Sequence, residues 1–226
     1  MRIIVFSGSV GSGKSTHMRL LASELRRRGV KVRVTFLKSG HVFAYILTIL
    51  LAKMLTRRRD LYPIGALVAE KPHIFRRIFR LWLALDIISV SLKFLFNIYI
   101  PLKLGYTILV EEYIPATISD YLYLSRTIGL SLRPRSFTVI FLLRLMQLGG
   151  FTQIIFLDAE NSELKHRWKR RGSPDERGDY INIQRTLLLQ VSKELSSNGL
   201  LYVNTSKQTP EKVHQLIKEQ LMGETK

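Results

Sequence analysis

The chain has 226 residues, 46% of them hydrophobic and 23% charged, which supplies one packed domain and rules out a disordered tail. It contains no cysteine, so disulfides and thiolate-bound zinc or iron–sulfur centres are excluded. Lys plus Arg is 35 against 17 Asp plus Glu, a net charge of +18 that favours polyanionic ligands: nucleotides, nucleic acid or an acidic membrane surface.

Residues 2–7 form a short β-branched apolar run that ends at glycine and reads as a buried strand. From Lys14 the period changes: Met18, Leu21, Ala22 and Leu25 fall at helical spacing, and Gly29 is placed to end the helix. A second strand is predicted over 30–36, followed by helical apolar segments from about 42 to 102. The longest apolar runs there are 42–52, which is too short for a membrane span, and 81–102, which is interrupted by Asp86, Lys93 and Asn97. Both suit buried helices better. A third strand spans 106–110 and ends at Glu111-Glu112. Helices follow over 116–129 and 136–148, with a fourth strand over 153–157. A basic helix over 162–171 leads through a Gly/Pro-containing loop to a helix over 180–196 and a last strand over 200–203. Thr209-Pro210 opens the final helix as cap and first residue. Strands alternating with helices predict an α/β chain, a single domain over 1–226, with a parallel sheet of about five strands and helices on both faces.

Gly8-Ser9-Val10-Gly11-Ser12-Gly13-Lys14-Ser15 matches G-x-x-x-x-G-K-[ST] at every fixed position, and Thr16 continues it into the helix. Glycines let the backbone wrap phosphate oxygens, and successive N–H groups form an anion cradle at a helix N-terminus. In such a loop Lys14 reaches the β and γ phosphates and the Ser15 hydroxyl is a ligand for Mg²⁺. The chemistry also needs an acidic group at a neighbouring strand end. Glu111 and Glu112 are the candidates, with Asp158 as competitor. Because strand residues alternate sides, only one of the two glutamates is expected to aim at the loop, and Glu111 is preferred.

Phosphoryl transfer further needs positive charge around the moving group and exclusion of water. The basic stretch 165–179 is read as a lid, with Arg167, Arg170, Arg171 and Arg177 as its candidate arginines. Asp86, Ser89, Lys93 and Asn97 are spaced 3, 4 and 4, one polar stripe on an otherwise apolar helix, read as a wall of an acceptor pocket. Asp120, Tyr123 and Arg126 are further pocket candidates. Tyr113 is placed either to stack on a base or to fill the core.

These residues resemble the thymidylate kinase family of nucleoside monophosphate kinases. The P-loop matches in full. Ala84-Leu85-Asp86 resembles the family's A-D-R helix, and Val110-Glu111-Glu112-Tyr113 sits where the family has D-R-Y. Leu157-Asp158-Ala159 with 164–172 is similar to its lid stretch, and Pro210-Glu211-Lys212-Val213 to its last helix start. The resemblance implies ATP and Mg²⁺ as cofactors, a nucleotide acceptor, frequently a homodimer, and Glu111 in place of the family's aspartate near the metal. The departures fall on the acceptor side. Ile87 and Glu112 stand where the family has arginines, and Phe36-Leu37-Lys38-Ser39-Gly40 replaces its T-R-E-P-G segment. A single Lys38 is a poor substitute for bidentate arginine contacts to a phosphate.

The expected function is therefore a cytoplasmic, ATP-dependent kinase. It moves the γ-phosphoryl group to a nucleoside monophosphate, dTMP being the best single choice, or to a related small acceptor. Lys14, Glu111, Arg167, Arg171 and Arg177 are the expected catalytic set, Ser15 and Glu111 the metal set. Gly8 through Thr16 hold the donor, and Lys38, Asp86, Lys93, Glu112 and Tyr113 the acceptor. The alternatives are an ATP-binding regulatory or adaptor protein on the same fold, a deoxynucleoside kinase, or a polynucleotide kinase.

Overall fold

Five short runs, four of them rich in β-branched residues, become five parallel strands in the computed structural model, which describes residues 2–57, 62–133, 135–170, 178–196 and 199–223. The strands are β1 (Ile3–Gly8), β2 (Val32–Leu37), β3 (Thr107–Glu112), β4 (Thr152–Asp158) and β5 (Leu200–Asn204), in spatial order β2-β3-β1-β4-β5. The register pairs Phe6 with Glu111, Gly8 with Leu157, Leu37 with Glu112 and Asp158 with Asn204. Every strand end that bears a chemically active side chain thus reaches one edge of the sheet, where open α/β sheets bind their ligands.

Alternation along β1 divides the core. Ile4 and Phe6 face α1 (Lys14–Arg27) and α10 (Pro210–Gly223), packing with Met18, Leu21, Leu25, Val213, Ile217 and Leu221. Ile3 and Val5 point to the opposite face and a larger cluster. That cluster is built by α4 (Pro72–Phe94), α6 (Ile114–Thr127) and α7 (Phe137–Leu148), with Trp82, Tyr121 and Leu142 at its centre. The predicted helical region 42–102 resolves into α2 (Val42–Leu55), α3 (Pro63–Glu70), α4, a π-helical turn (Leu95–Tyr99) and α5 (Ile100–Lys103). Proline at 101 cannot donate to the carbonyl one turn back and its ring crowds it, which accounts for the wider turn just before it. The remaining helices are α8 (Asn161–Arg170) and α9 (Gly178–Leu195).

The continuous helix Pro72–Lys103 is long and apolar enough to cross a membrane by length and composition, and only a third of its most apolar window is buried. Its polar stripe is nevertheless satisfied within the protein, as described below. Its outer side carries Ile88, Leu92, Leu95 and Phe96, all exposed, and the neighbouring α2 exposes Phe43, Ile46, Leu50 and Met54.

Candidate active site

The P-loop leaves β1 at Gly8 and enters α1 at Lys14. Gly8 has φ 127°, and a Cβ there would lie 1.8 Å from the carbonyl oxygen of Leu157 on the adjacent strand, so no side chain fits. Gly11 has φ 86°, and its absent Cβ would meet Trp168 Nε1 at 2.7 Å. That indole is what supports the loop: Trp168, 1% exposed, donates from Nε1 to the Val10 carbonyl at 2.9 Å. Sequence reasoning missed Trp168; the only signal was one large aromatic inside an otherwise basic helix.

Lys14 curls back over the loop. Its Nζ donates to the carbonyls of Gly8 at 2.9 Å and Ser9 at 3.0 Å and pairs with Glu112 Oε1 at 3.1 Å. One residue on, the Ser15 hydroxyl donates to the Glu111 carboxylate, 2.8 Å from Oε2 and 3.0 Å from Oε1. The expectation that only one glutamate reaches the loop is therefore corrected. Glu112 has φ 75° and Tyr113 φ 88°, both left-handed, and this break in the strand conformation cancels the alternation. Glu111 goes to Ser15 and Glu112 to Lys14. The Tyr113 N–H, donating to the Leu37 carbonyl at 2.6 Å, holds the break against β2.

The Ser15 hydroxyl and the Glu111 carboxylate form an exposed set of hard oxygen donors, the type that binds Mg²⁺ together with phosphate oxygens and water. This donor set fits the ion that the fold implies. No group of three or more His, Asp or Glu with metal-binding spacing occurs among the described residues.

Asp158, the competitor for the metal role, is occupied otherwise. It accepts from Ser9 Oγ at 2.8 Å and Tyr202 Oη at 3.1 Å, and pairs with Arg185 Nε at 3.0 Å. Arg185 also donates to the Ala159 carbonyl at 2.8 Å, tying α9 to the loop. Arg167 serves a similar purpose. Its Nη1 donates to the Gly11 carbonyl at 3.3 Å and to Thr205 Oγ1 at 3.0 Å, and its Nη2 to the Thr205 carbonyl at 2.9 Å. Its Nε pairs with Glu163 at 2.8 Å. The guanidinium expected to neutralise the transition state instead braces the P-loop against β5, with its donors directed to protein oxygens. Arg171 and Arg177, like residues 172–176 of the predicted lid, lie outside the described residues.

Several acceptor-side expectations also change. Tyr113 is fully buried in the core cluster, its hydroxyl without a hydrogen-bond partner among the described residues and held above its ordinary pKa by burial. No face is open to a base. The stripe of Asp86, Ser89, Lys93 and Asn97 does not line an open pocket but fastens the segment after β2. Asp86 Oδ1 accepts from the backbone N–H groups of Gly40 at 2.9 Å and His41 at 3.1 Å, and Oδ2 from Tyr121 Oη at 2.8 Å. Ser89 accepts from the Phe43 N–H at 3.2 Å, and Asn97 from Arg33 at 2.9 Å. Lys93 sits 3.1 Å from His41 Nε2 and 5.2 Å from the centre of the Phe36 ring. Burial, then the charges of Lys93 and Lys38, lower the His41 pKa to about 4, so the ring is neutral and Nε2 accepts from the Lys93 ammonium. Burial pushes Asp86 up to about 6, opposed by its three hydrogen bonds. Sequence reasoning had the spacing right and the partner wrong, because residues 38–43 gave no sign of folding over the stripe.

Lys38 remains at the site edge, 3.8 Å from Asp120 Oδ2, and Ser39 Oγ donates to the same oxygen at 2.6 Å. Lys14, Ser15, Glu111 and Glu112 thus come together around the P-loop, Lys38 and Asp120 form a second pair, and Asp86 and Lys93 belong to the scaffold beneath.

No protein-family model matches this sequence, and no curated protein does either. Solved structures do match. Thymidylate kinase from Candida albicans aligns over 99% of this chain and 92% of its own, with a TM-score of 0.53 and 17% identity. Thymidylate kinase from Ehrlichia chaffeensis covers 98% of each chain at 17% identity, with a TM-score of 0.48. The fold is thymidylate kinase-like. The five parallel strands in the order found, with helices around them, are those of a P-loop NTPase.

Proposed function

We propose that this protein is an ATP-dependent phosphotransferase acting on a nucleoside, a nucleotide or a related acceptor. The observation that carries the reading is the approach of Glu111, at the end of β3, to Ser15 of the G-x-x-x-x-G-K-S loop that follows β1, beside Lys14. The donor triphosphate takes the backbone cradle of Gly8 to Thr16 and draws Lys14 onto its β and γ oxygens. Ser15 and Glu111 hold Mg²⁺, which when bound neutralises charge on the phosphates. Trp168, Arg167 and Arg185 keep the cradle in shape from behind. A nucleoside monophosphate such as dTMP, a deoxynucleoside and the 5′ hydroxyl of a polynucleotide are the acceptor classes left by the sequence. The test is ADP release from ATP·Mg²⁺ with each class in turn; at least one is expected to raise it tenfold or more. The rival reading, an ATP-binding adaptor, predicts a basal rate that no acceptor changes.

The exposed apolar stripes of α2 and α4 support assembly as a homodimer. Apolar patches of this kind on adjacent helices mark interaction surfaces. Sedimentation of the parent is expected to give twice the chain mass of 26.1 kDa, and an Ile46→Asp/Leu92→Asp variant the single mass. A parent that sediments as a monomer at micromolar concentration contradicts this assembly.

A further inference from the structure

We propose that the acceptor is a hydroxyl compound carrying no phosphate, and that Glu112 is the base that takes its proton. This rests on the phosphotransferase reading above and specifies the acceptor half of the same site.

Among the described residues at the ends of β1, β2 and β3, Lys14 and Lys38 each already face a carboxylate, Glu112 at 3.1 Å and Asp120 at 3.8 Å, and Arg19 is turned to the Ser15 carbonyl at 3.1 Å. Glu111 adds a third carboxylate beside Ser15. A phosphate monoester brings between one and two negative charges at neutral pH. With Lys14 on the donor's phosphates, such an acceptor would meet the carboxylate of Glu112 and an Asp120 already paired with Lys38. A phosphate-binding pocket is normally built the other way, from arginine forks and backbone N–H groups. An uncharged or cationic acceptor suits this charge distribution.

The attacking oxygen of a phosphate is already deprotonated, so the enzyme need only clamp it. A hydroxyl must lose a proton as it attacks, and kinases with hydroxyl substrates place a carboxylate to receive it. Glu112 stands in the right position. It is 5% exposed, one residue from the metal-side carboxylate, and delivered to the loop by the left-handed backbone at 112 and 113. Non-glycine residues adopt that conformation at a cost, and such outliers are found where function requires a side chain to be redirected. Without it Glu112 would point away from the P-loop.

Lys14 is paired with Glu112 at 3.1 Å. A Lys14 drawn to the β and γ oxygens leaves Glu112 without that partner, next to the reacting group. Donor binding thus prepares the base. In the transfer itself the acceptor oxygen forms a bond to the γ-phosphorus, and the bond from that phosphorus to the bridging oxygen of ADP breaks. The hydroxyl proton passes to Glu112.

The experiment uses the full chain with ATP·Mg²⁺. ADP formation is measured with a panel of nucleosides and simple polyols and with a matched panel of nucleoside monophosphates including dTMP, while ATP·Mg²⁺ binding is followed separately by calorimetry. The expected result is stimulation of at least tenfold by a member of the first panel and none by the second. Glu112→Gln is expected to bind ATP·Mg²⁺ at least as tightly as the parent, having lost the competitor for Lys14, yet to turn over about 10²–10⁴-fold more slowly, with partial rescue in Glu112→Asp. Stimulation by a monophosphate, a Glu112→Gln rate within threefold of the parent, or normal ATP binding with no response to either panel would each overturn the proposal while leaving the nucleotide site standing. Absence of ATP binding in the parent removes the underlying reading and this one with it.

Discussion

Lys14→Met is expected to lower acceptor-dependent ATP turnover by about 10²–10³-fold, the cost of removing one preorganised donor to a developing anion. It should also lower stability, because Glu112 is buried and Lys14 is its cation at 3.1 Å. Breaking such a pair from one side costs about 3–5 kcal/mol, since the remaining charge stays in place without compensation. The two effects are separable. In Lys14→Met/Glu112→Gln no charge is left buried, and most of the lost stability is expected to return, while ATP·Mg²⁺ binding stays weak. Denaturant midpoints and calorimetric ATP·Mg²⁺ binding on the parent and the two variants decide it. Recovery of ATP·Mg²⁺ binding in the double variant would mean that Lys14 acts only as a structural counter-ion and not on the phosphates.

Asp86→Ala is expected to destabilise the protein by about 3 kcal/mol. It leaves the Tyr121 hydroxyl and the N–H groups of Gly40 and His41 without their acceptor, and each unsatisfied buried donor costs about 1–3 kcal/mol, partly relieved here by water reaching the loop. Asp86→Asn keeps an acceptor for the two N–H groups and should cost less than half as much at neutral pH. The two variants also separate the role of the charge. Burial raises the Asp86 pKa from the ordinary 3.8 to about 6, so between those values the folded chain binds a proton that the unfolded chain does not. The stability contributed by this group is therefore fully present below about pH 4 and is lost as pH rises through about 6. The parent should thus gain on Asp86→Asn as pH falls from 7 to 4. His41 and His17, both lowered to about 4, act in the opposite sense in both proteins and cancel in the difference. A difference between the two urea midpoints that does not change with pH would contradict this account of Asp86.

Local chemistry made most of the fold legible. The β-branched runs, the change of period at Lys14, Gly29 after the first helix and Pro210 at the start of the last each state a backbone preference that the structure honours to within a few residues. The conformation of the 8–15 loop was legible for the same reason, since its glycines at 8, 11 and 13 take the positive φ open to them. What could not be read depends on contacts between distant segments. That Glu112 joins Lys14 requires left-handed backbone at two residues that are not glycine, which no propensity foretells; β2 holds it there through the Leu37 carbonyl. The stripe of Asp86, Ser89, Lys93 and Asn97 announced a polar face but could not say that the face would be covered by 38–43. Arg167 appeared as one of several lid cations because its true partners, Gly11 and Thr205, are far from it in sequence. Tertiary pairing decides which charges are spent on the scaffold and which remain for a ligand.

The donor cradle is the claim on which the rest depends, and calorimetric titration of ATP·Mg²⁺ onto the parent and onto Lys14→Met/Glu112→Gln tests it most directly. One ATP per chain is expected for the parent, displaced by inorganic tripolyphosphate, with binding about a hundredfold weaker or more for the double variant. Equal affinity in the two proteins, or no uptake by the parent, would contradict it.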